Sequence, residues 1–249
     1  MSIFRDTTDC MVHGHEGWLS PEKPHIHEGD AIDLQFFWGH NMAPDGLCKT
    51  NDLSAKVFAP NTEPKSLDLT DTTESYHVFH LDNAARGLNH FVAKKIAFYC
   101  RDNEGKYIEG TLKDIPDAAS CTRYLQYAHT ALEVGHELEN ADYDCVPAIP
   151  IYLKPKSWDE IWAGEKFPFT LYYDGKPLSL CDYEVAYTAK EGSEVEHFSY
   201  MTDEEGCGEI KFKKPGSYLF LVRLNSHEAE EGVYQNTRLT YTFWIRVKR

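Results

Sequence analysis

His13, His15 and His40 are the residues whose type and spacing most readily do chemistry in this chain. They sit in Val12-His-Gly-His-Glu-Gly-Trp-Leu19 and in Phe37-Trp-Gly-His-Asn-Met-Ala-Pro-Asp-Gly46. Imidazoles that converge on one point suit a divalent transition metal, with nickel, cobalt, zinc and copper all admissible. His13 and His15 face the same way if their segment is a regular strand, and share a metal if the backbone bends at Gly14. Asp45 or Glu16 could add an oxygen ligand, which favours Ni²⁺, Co²⁺ or Zn²⁺ over a soft Cu(I) site.

Two elements must bring these residues together. A short strand is expected from His15 to Ser20 and a longer one from Ala31 to Gly39, joined by the turn-rich stretch from Pro21 to Asp30. Paired as neighbours, the two strands are antiparallel, so the start of the first lies beside the end of the second. That places His13 or His15 next to His40 at one rim of a sheet.

The rest of the chain reads as short strands between polar turns. Ser54 to Ala59, Ser75 to Leu81 and Asn89 to Tyr99 follow the first pair. Asp117 to Val134 fits helical spacing in places and a strand in others, and the reading leans to a helical turn followed by a strand. Cys145-Val-Pro-Ala-Ile-Pro150 looks like a linker. Beyond it, Phe167 to Tyr173, Asp182 to Thr188, Gly208 to Lys213, Tyr218 to Leu224 and Leu239 to Val247 give an immunoglobulin-like pattern. The expected fold class is all-β: an N-terminal β-sandwich over residues 1–145 and an immunoglobulin-like β-sandwich over 146–249, divided between about Asp144 and Pro155.

Bulk properties narrow the function. A net charge of −15 over 249 residues, with no basic stripe, argues against a nucleic-acid partner. No apolar run approaches the ~20 residues of a membrane span, so no membrane insertion is expected. Seven scattered cysteines with no Cys-x-x-Cys pair read as mostly free thiols. Residues Met1 to Val12 lack the apolar core of a signal peptide, which implies either a cytoplasmic protein or a leader already removed. Nucleophile-elbow, metalloprotease, Walker and dinucleotide-binding motifs are all missing, so no enzyme activity is expected. A remote exception is a copper-dependent oxidase with a processed N-terminal His.

The other histidines read more plainly. His25 and His27, in the connecting loop at the opposite end of the hairpin, are taken as solvent-facing. His77 and His80 fall on opposite faces of a strand. His80 and His90 flank one turn and could approach each other. His129 and His136 flank an apolar stretch and read as structural. His197, His227 and the acidic run Glu228 to Glu231 read as solvated surface.

In order along the chain come His15-Glu-Gly-Trp-Leu, the Gly29-Asp turn, Trp38-Gly-His40, Ala128 to Gly135, Cys145-Val-Pro-Ala-Ile-Pro, Tyr173-Asp-Gly-Lys-Pro-Leu178, Thr202-Asp-Glu-Glu-Gly206 and the closing Thr-Phe-Trp-Ile strand. This ordered set resembles the NikM-like family of β-rich proteins associated with nickel and cobalt uptake, over nearly the whole chain. The resemblance implies an exported, periplasmic binding protein that captures Ni²⁺ or Co²⁺ without catalysis, serving a membrane metal transporter. His15 and His40 carry the family's pattern, and His13 is an additional candidate ligand in this sequence. The rival from another class is an adhesion module binding carbohydrate or protein without metal.

Overall fold

Ile32-Asp-Leu-Gln-Phe-Phe-Trp38 alternates apolar and polar residues and then becomes wholly apolar, and its burial follows suit. Ile32, Leu34 and Phe36 are buried while Asp33 and Gln35 are half-buried; Phe37 and Trp38 are then buried together. The change marks where a strand with one covered face becomes covered on both. In this computed structural model, residues 14–158, 161–190 and 193–248 are described.

The chain is all-β, as expected. The strands are β1 (Glu16–Pro21), β2 (Ile32–His40), β3 (Ala43–Gly46), β4 (Leu53–Phe58), β5 (Lys65–Thr72), β6 (Tyr76–Leu81), β7 (Gly87–Arg101), β8 (Tyr107–Glu109) and β9 (Ser120–Val134). They continue as β10 (Ile151–Pro155), β11 (Lys166–Tyr173), β12 (Lys176–Pro177), β13 (Asp182–Thr188), β14 (Val195–Met201), β15 (Cys207–Lys211), β16 (Gly216–Ser226) and β17 (Asn236–Val247).

One sheet runs β1-β2-β6-β5-β4-β7-β9-β17-β16-β13-β14, with β3 on β2 and β8 on β7. A second holds β10, β11, β12 and β15. The long sheet doubles over itself, because one core joins Leu19, Leu34, Phe36, Trp38 and Phe79 to Val57, Phe91, Ala97 and Tyr124. A second core packs the small sheet, through Leu153, Phe167, Phe169 and Leu171, against Tyr183, Phe220, Tyr241 and Phe243. Phe58, Val92, Leu125 and Tyr127 from the first half of the chain also belong to it. The halves meet where β17 pairs with β9 in parallel, from Asn236↔Thr122 to Trp244↔Thr130.

Two expectations change. The segment from Asp117 contains no α-helix; β9 is a single strand from Ser120. Tyr124 to Thr130 are buried without a break, so the strand shows no two-residue alternation, and some of its apolar residues fall at helical spacing by coincidence. β1 begins one residue later than expected, which leaves His15 just before it. The six described cysteines are free thiols. No helix among the described residues is long and apolar enough to cross a membrane.

Candidate metal centre

β1 and β2 pair antiparallel with Glu16 opposite Gly39, so His15 and His40 lie together one step beyond that pair. Their ring centroids are 3.7 Å apart. β2 then reverses through Asn41 and Met42, both in the left-handed region at φ 52° and 61°. His40 pairs with Ala43 across this two-residue turn, and β3 returns along β2 carrying Asp45. Positive φ at both central residues is the backbone of a type I′ hairpin. Gly39 is needed for it: a Cβ there would lie 2.1 Å from the Ala43 carbonyl oxygen.

Asp45 completes the cluster. Its carboxylate oxygens lie 2.9 and 2.8 Å from His15 Nε2, and Oδ2 lies 3.6 Å from His40 Nδ1. One ligand atom from each of His15, His40 and Asp45 falls within 4.8 Å of the others. His15 is buried, while the His40 and Asp45 side chains are 42% and 29% exposed, so the cluster opens to solvent on one side. Two imidazoles and a carboxylate are a donor set for Ni²⁺, Co²⁺ or Zn²⁺. His13 lies outside the described residues.

Glu16, the other expected oxygen donor, has a different task. Its side chain is buried, and Oε1 accepts the Asn41 N–H while Oε2 accepts from Arg223 Nη2 at 2.8 Å. Arg223 also donates to the Gly14 carbonyl at 2.7 Å. Burial pushes the Glu16 carboxyl up to about 7, against the opposing pull of Arg223. Its oxygens hold the Asn41 turn, so Glu16 positions the cluster rather than joining it. Gln126 on β9 fixes the strand from beneath: its amide donates to His15 O at 2.6 Å and its oxygen accepts Gly17 N–H at 3.1 Å. Thr242 on β17 donates to Gly17 O at 2.7 Å.

A second cluster was not expected from the sequence. His25, His27 and His136 are exposed and bring one ring nitrogen each within 4.8 Å. His27 Nε2 and His136 Nε2 are 3.0 Å apart. His25 and His27 face solvent, as expected; His136, read from the sequence as structural, is exposed as well and lies against them. Burial first, then the charges of His136 and His27, hold His25 below the usual imidazole range. The signal available in the sequence was His25-Ile-His27, which repeats the spacing of His13-Gly-His15; nothing pointed to His136.

His80 and His90 do not form a joint site. His80 contacts Asp33 and Asp82. His90 Nδ1 lies 3.0 Å from His129 Nε2, whose Nδ1 lies 2.8 Å from the Tyr241 hydroxyl. That hydroxyl accepts Leu153 N–H at 3.0 Å. Burial lowers His90 to about 4, offset only in part by the Cys145 backbone. Burial first, then His90, lowers His129 strongly. His129 is structural, as expected.

The chain is similar to a DUF4785 family protein from Legionella pneumophila at 11% identity and TM-score 0.30, over 82% of this chain and 51% of that one. The adhesin InvE of Yersinia pseudotuberculosis matches at 14% identity and TM-score 0.26, over 90% of this chain and 58% of that one. A cytokine receptor complex matches at 13% identity and TM-score 0.21, over 84% of this chain and 89% of that one. This chain thus spans little more than half the length of the first two, at 51% and 58%. TM-scores this low carry no argument about function. No curated protein matches the sequence. The model of a domain of unknown function, DUF4198, matches residues 12–226, which include His15, His40 and Asp45, and the chain belongs to that family.

Proposed function

We propose that the protein is a non-catalytic binder of a divalent transition metal, Ni²⁺ or Co²⁺ before Zn²⁺ or Cu²⁺, and an accessory to metal uptake. His15, His40 and Asp45 are the ligands, with His13 as a further imidazole. The observation that supports this most directly is the convergence of two imidazoles and one carboxylate on a turn with two consecutive left-handed residues. At Met42, whose side chain disfavours the left-handed region, such strain costs about 1–3 kcal/mol and persists where surrounding contacts enforce it. Here Glu16 and the burial of Met42 against Trp18, Phe37 and Trp244 enforce it. The NikM-like resemblance supplies the biological setting: an exported, periplasmic protein that hands its ion to a membrane transporter.

Calorimetric titration of the metal-free protein with Ni²⁺, Co²⁺, Zn²⁺ and Cu²⁺ tests this reading. His15→Ala, His40→Ala and Asp45→Ala are each expected to weaken one class of site at least tenfold. If the double variant His15→Ala/His40→Ala keeps every binding event of the parent at its original affinity, the reading is wrong.

A further inference from the structure

We propose that His25, His27 and His136 form a second, surface site for a divalent transition-metal ion, at the other end of the β1–β2 hairpin from His15 and His40. The two sites are separated by the length of β1, roughly 20 Å at ~3.3 Å per residue. The inference does not depend on the His15 and His40 reading.

The backbone sets this arrangement in place. Ile26, between the two histidines, is buried and makes a parallel bridge with Val134 at the end of β9. Gly135 N–H donates to Ile26 O at 3.0 Å. Extended backbone puts neighbours on opposite faces, so an inward Ile26 turns His25 and His27 outward together. Burying an Ile side chain contributes about 1.5–3 kcal/mol, which anchors the loop in this orientation. Gly135, at φ 95°, then turns the chain and brings His136 over the pair.

Both flanks are tied down. Asp30 N–H donates to His27 O at 3.0 Å, and Gly29 N–H to Ala84 O at 2.9 Å. Arg86 Nη2 donates to Glu137 O at 2.9 Å, just after His136. The three rings therefore meet because the backbone holds them, without their side chains being packed.

The geometry suits a metal. Ring centroids are 4.9 Å apart for His25 and His27, 4.6 Å for His25 and His136, and 4.9 Å for His27 and His136. Metal–nitrogen bonds of ~2.0–2.1 Å place adjacent ligand nitrogens about 2.9–3.4 Å apart. The Nε2–Nε2 separation of 3.0 Å between His27 and His136 lies in that range. Asp30 Oδ2 is 3.5 Å from His27 Nδ1 and also accepts the His27 N–H at 2.8 Å. A carboxylate on the non-ligating nitrogen orients a metal-bound imidazole and raises its basicity.

Three imidazoles select Ni²⁺, Cu²⁺, Zn²⁺ or Co²⁺ over Mg²⁺ and Ca²⁺, which prefer oxygen. Their exposure leaves the remaining positions to water, so the ion exchanges readily. Nearby charge is mixed, with Lys248 against a cation and Glu133 and Asp30 for it.

The test uses Ni²⁺ and Zn²⁺ alone as probes. The full chain carrying His15→Ala and His40→Ala is expected to bind one equivalent of either ion. Adding His27→Ala and His136→Ala should weaken that event at least tenfold. All three residues of the second cluster are exposed, so an unchanged far-UV spectrum is expected. Since His15 is buried, the parent protein is also examined by NMR with two equivalents of Cu²⁺. Ring-proton signals of His25, His27 and His136 should broaden selectively relative to those of His197 and His227. If the His15/His40 variant is folded and binds neither ion, the proposal is overturned. Binding insensitive to His27→Ala/His136→Ala overturns it too, as does uniform broadening across all exposed histidines.

Discussion

The turn after His40 shows how single residues build the candidate centre. Asn tolerates the left-handed region because its short polar side chain bonds locally; Met does not, and Met42 is held there by burial in an apolar cluster. Glu16 supplies the remaining restraint by accepting the Asn41 N–H. A ligand role and a positioning role for Glu16 make different predictions. Glu16→Gln keeps an acceptor for Asn41 and removes the charge. Its Ni²⁺ affinity is expected to stay within about threefold of the parent, because a retained hydrogen bond preserves the turn. A loss of tenfold or more in the same titration would make Glu16 a ligand.

At the scale of elements, one polar chain ties four strands together: His90 on β7, His129 on β9, Tyr241 on β17 and Leu153 on β10. Tyr241 takes the Leu153 N–H and can donate to His129 Nδ1, which leaves His129 Nε2–H to donate to His90 Nδ1. Every shared proton then has an acceptor, and both imidazoles are neutral. Their folded pKa values are depressed, so their contribution to stability is present above the unfolded value near 6.5. It is lost as pH falls toward about 4 for His90. Glu16 acts in the opposite sense: its folded value is raised to about 7, so its contribution is present below 4.5 and lost as pH rises through 7. The two trends oppose each other in the parent. In Glu16→Gln the histidine trend is exposed, and urea unfolding should show a fall of order 3 kcal/mol between pH 6.5 and 4. Tyr241→Phe should cost about 1–3 kcal/mol at pH 7, because it strands the buried Leu153 N–H. A flat profile in Glu16→Gln would mean that the pair is not held neutral. Strands with one covered face, such as β6 and β11, were legible because their alternation survives. β9 was not, being covered on both faces. β5 was not either, since Leu67 is its sole buried residue. The same logic divides the two histidine clusters. His15 and His40 follow from antiparallel pairing of near neighbours. His136 reaches His27 across 109 residues through an isolated bridge that leaves no periodic trace.

At the scale of the molecule, the first candidate centre depends on both halves of the chain. Arg223 on β16 holds Gly14 and Glu16, and Thr242 on β17 holds Gly17. The parallel β9–β17 ladder continues the sheet from one half into the other, and the second core contains Phe58, Val92, Leu125 and Tyr127 from the first half. Separating the halves would uncover those side chains and leave the ladder groups of β9 and β17 unpaired on facing edges. Each ladder hydrogen bond exchanged for water there costs about 0.5–1.5 kcal/mol net, on top of the uncovered apolar surface. Unfolding one half alone is therefore expensive, and the chain is expected to melt in one cooperative transition. A ligand that binds only the folded state stabilises it by about 2.7 kcal/mol at a hundred times its dissociation constant. For a domain of this size that is a rise in Tm of roughly 5–10 °C. Ni²⁺ at that excess should move the whole transition upward, with tryptophan fluorescence and far-UV circular dichroism shifting together. Two resolved calorimetric transitions, only the first of them moved by Ni²⁺, would show instead that the halves fold separately and that the centre draws nothing from β16 and β17.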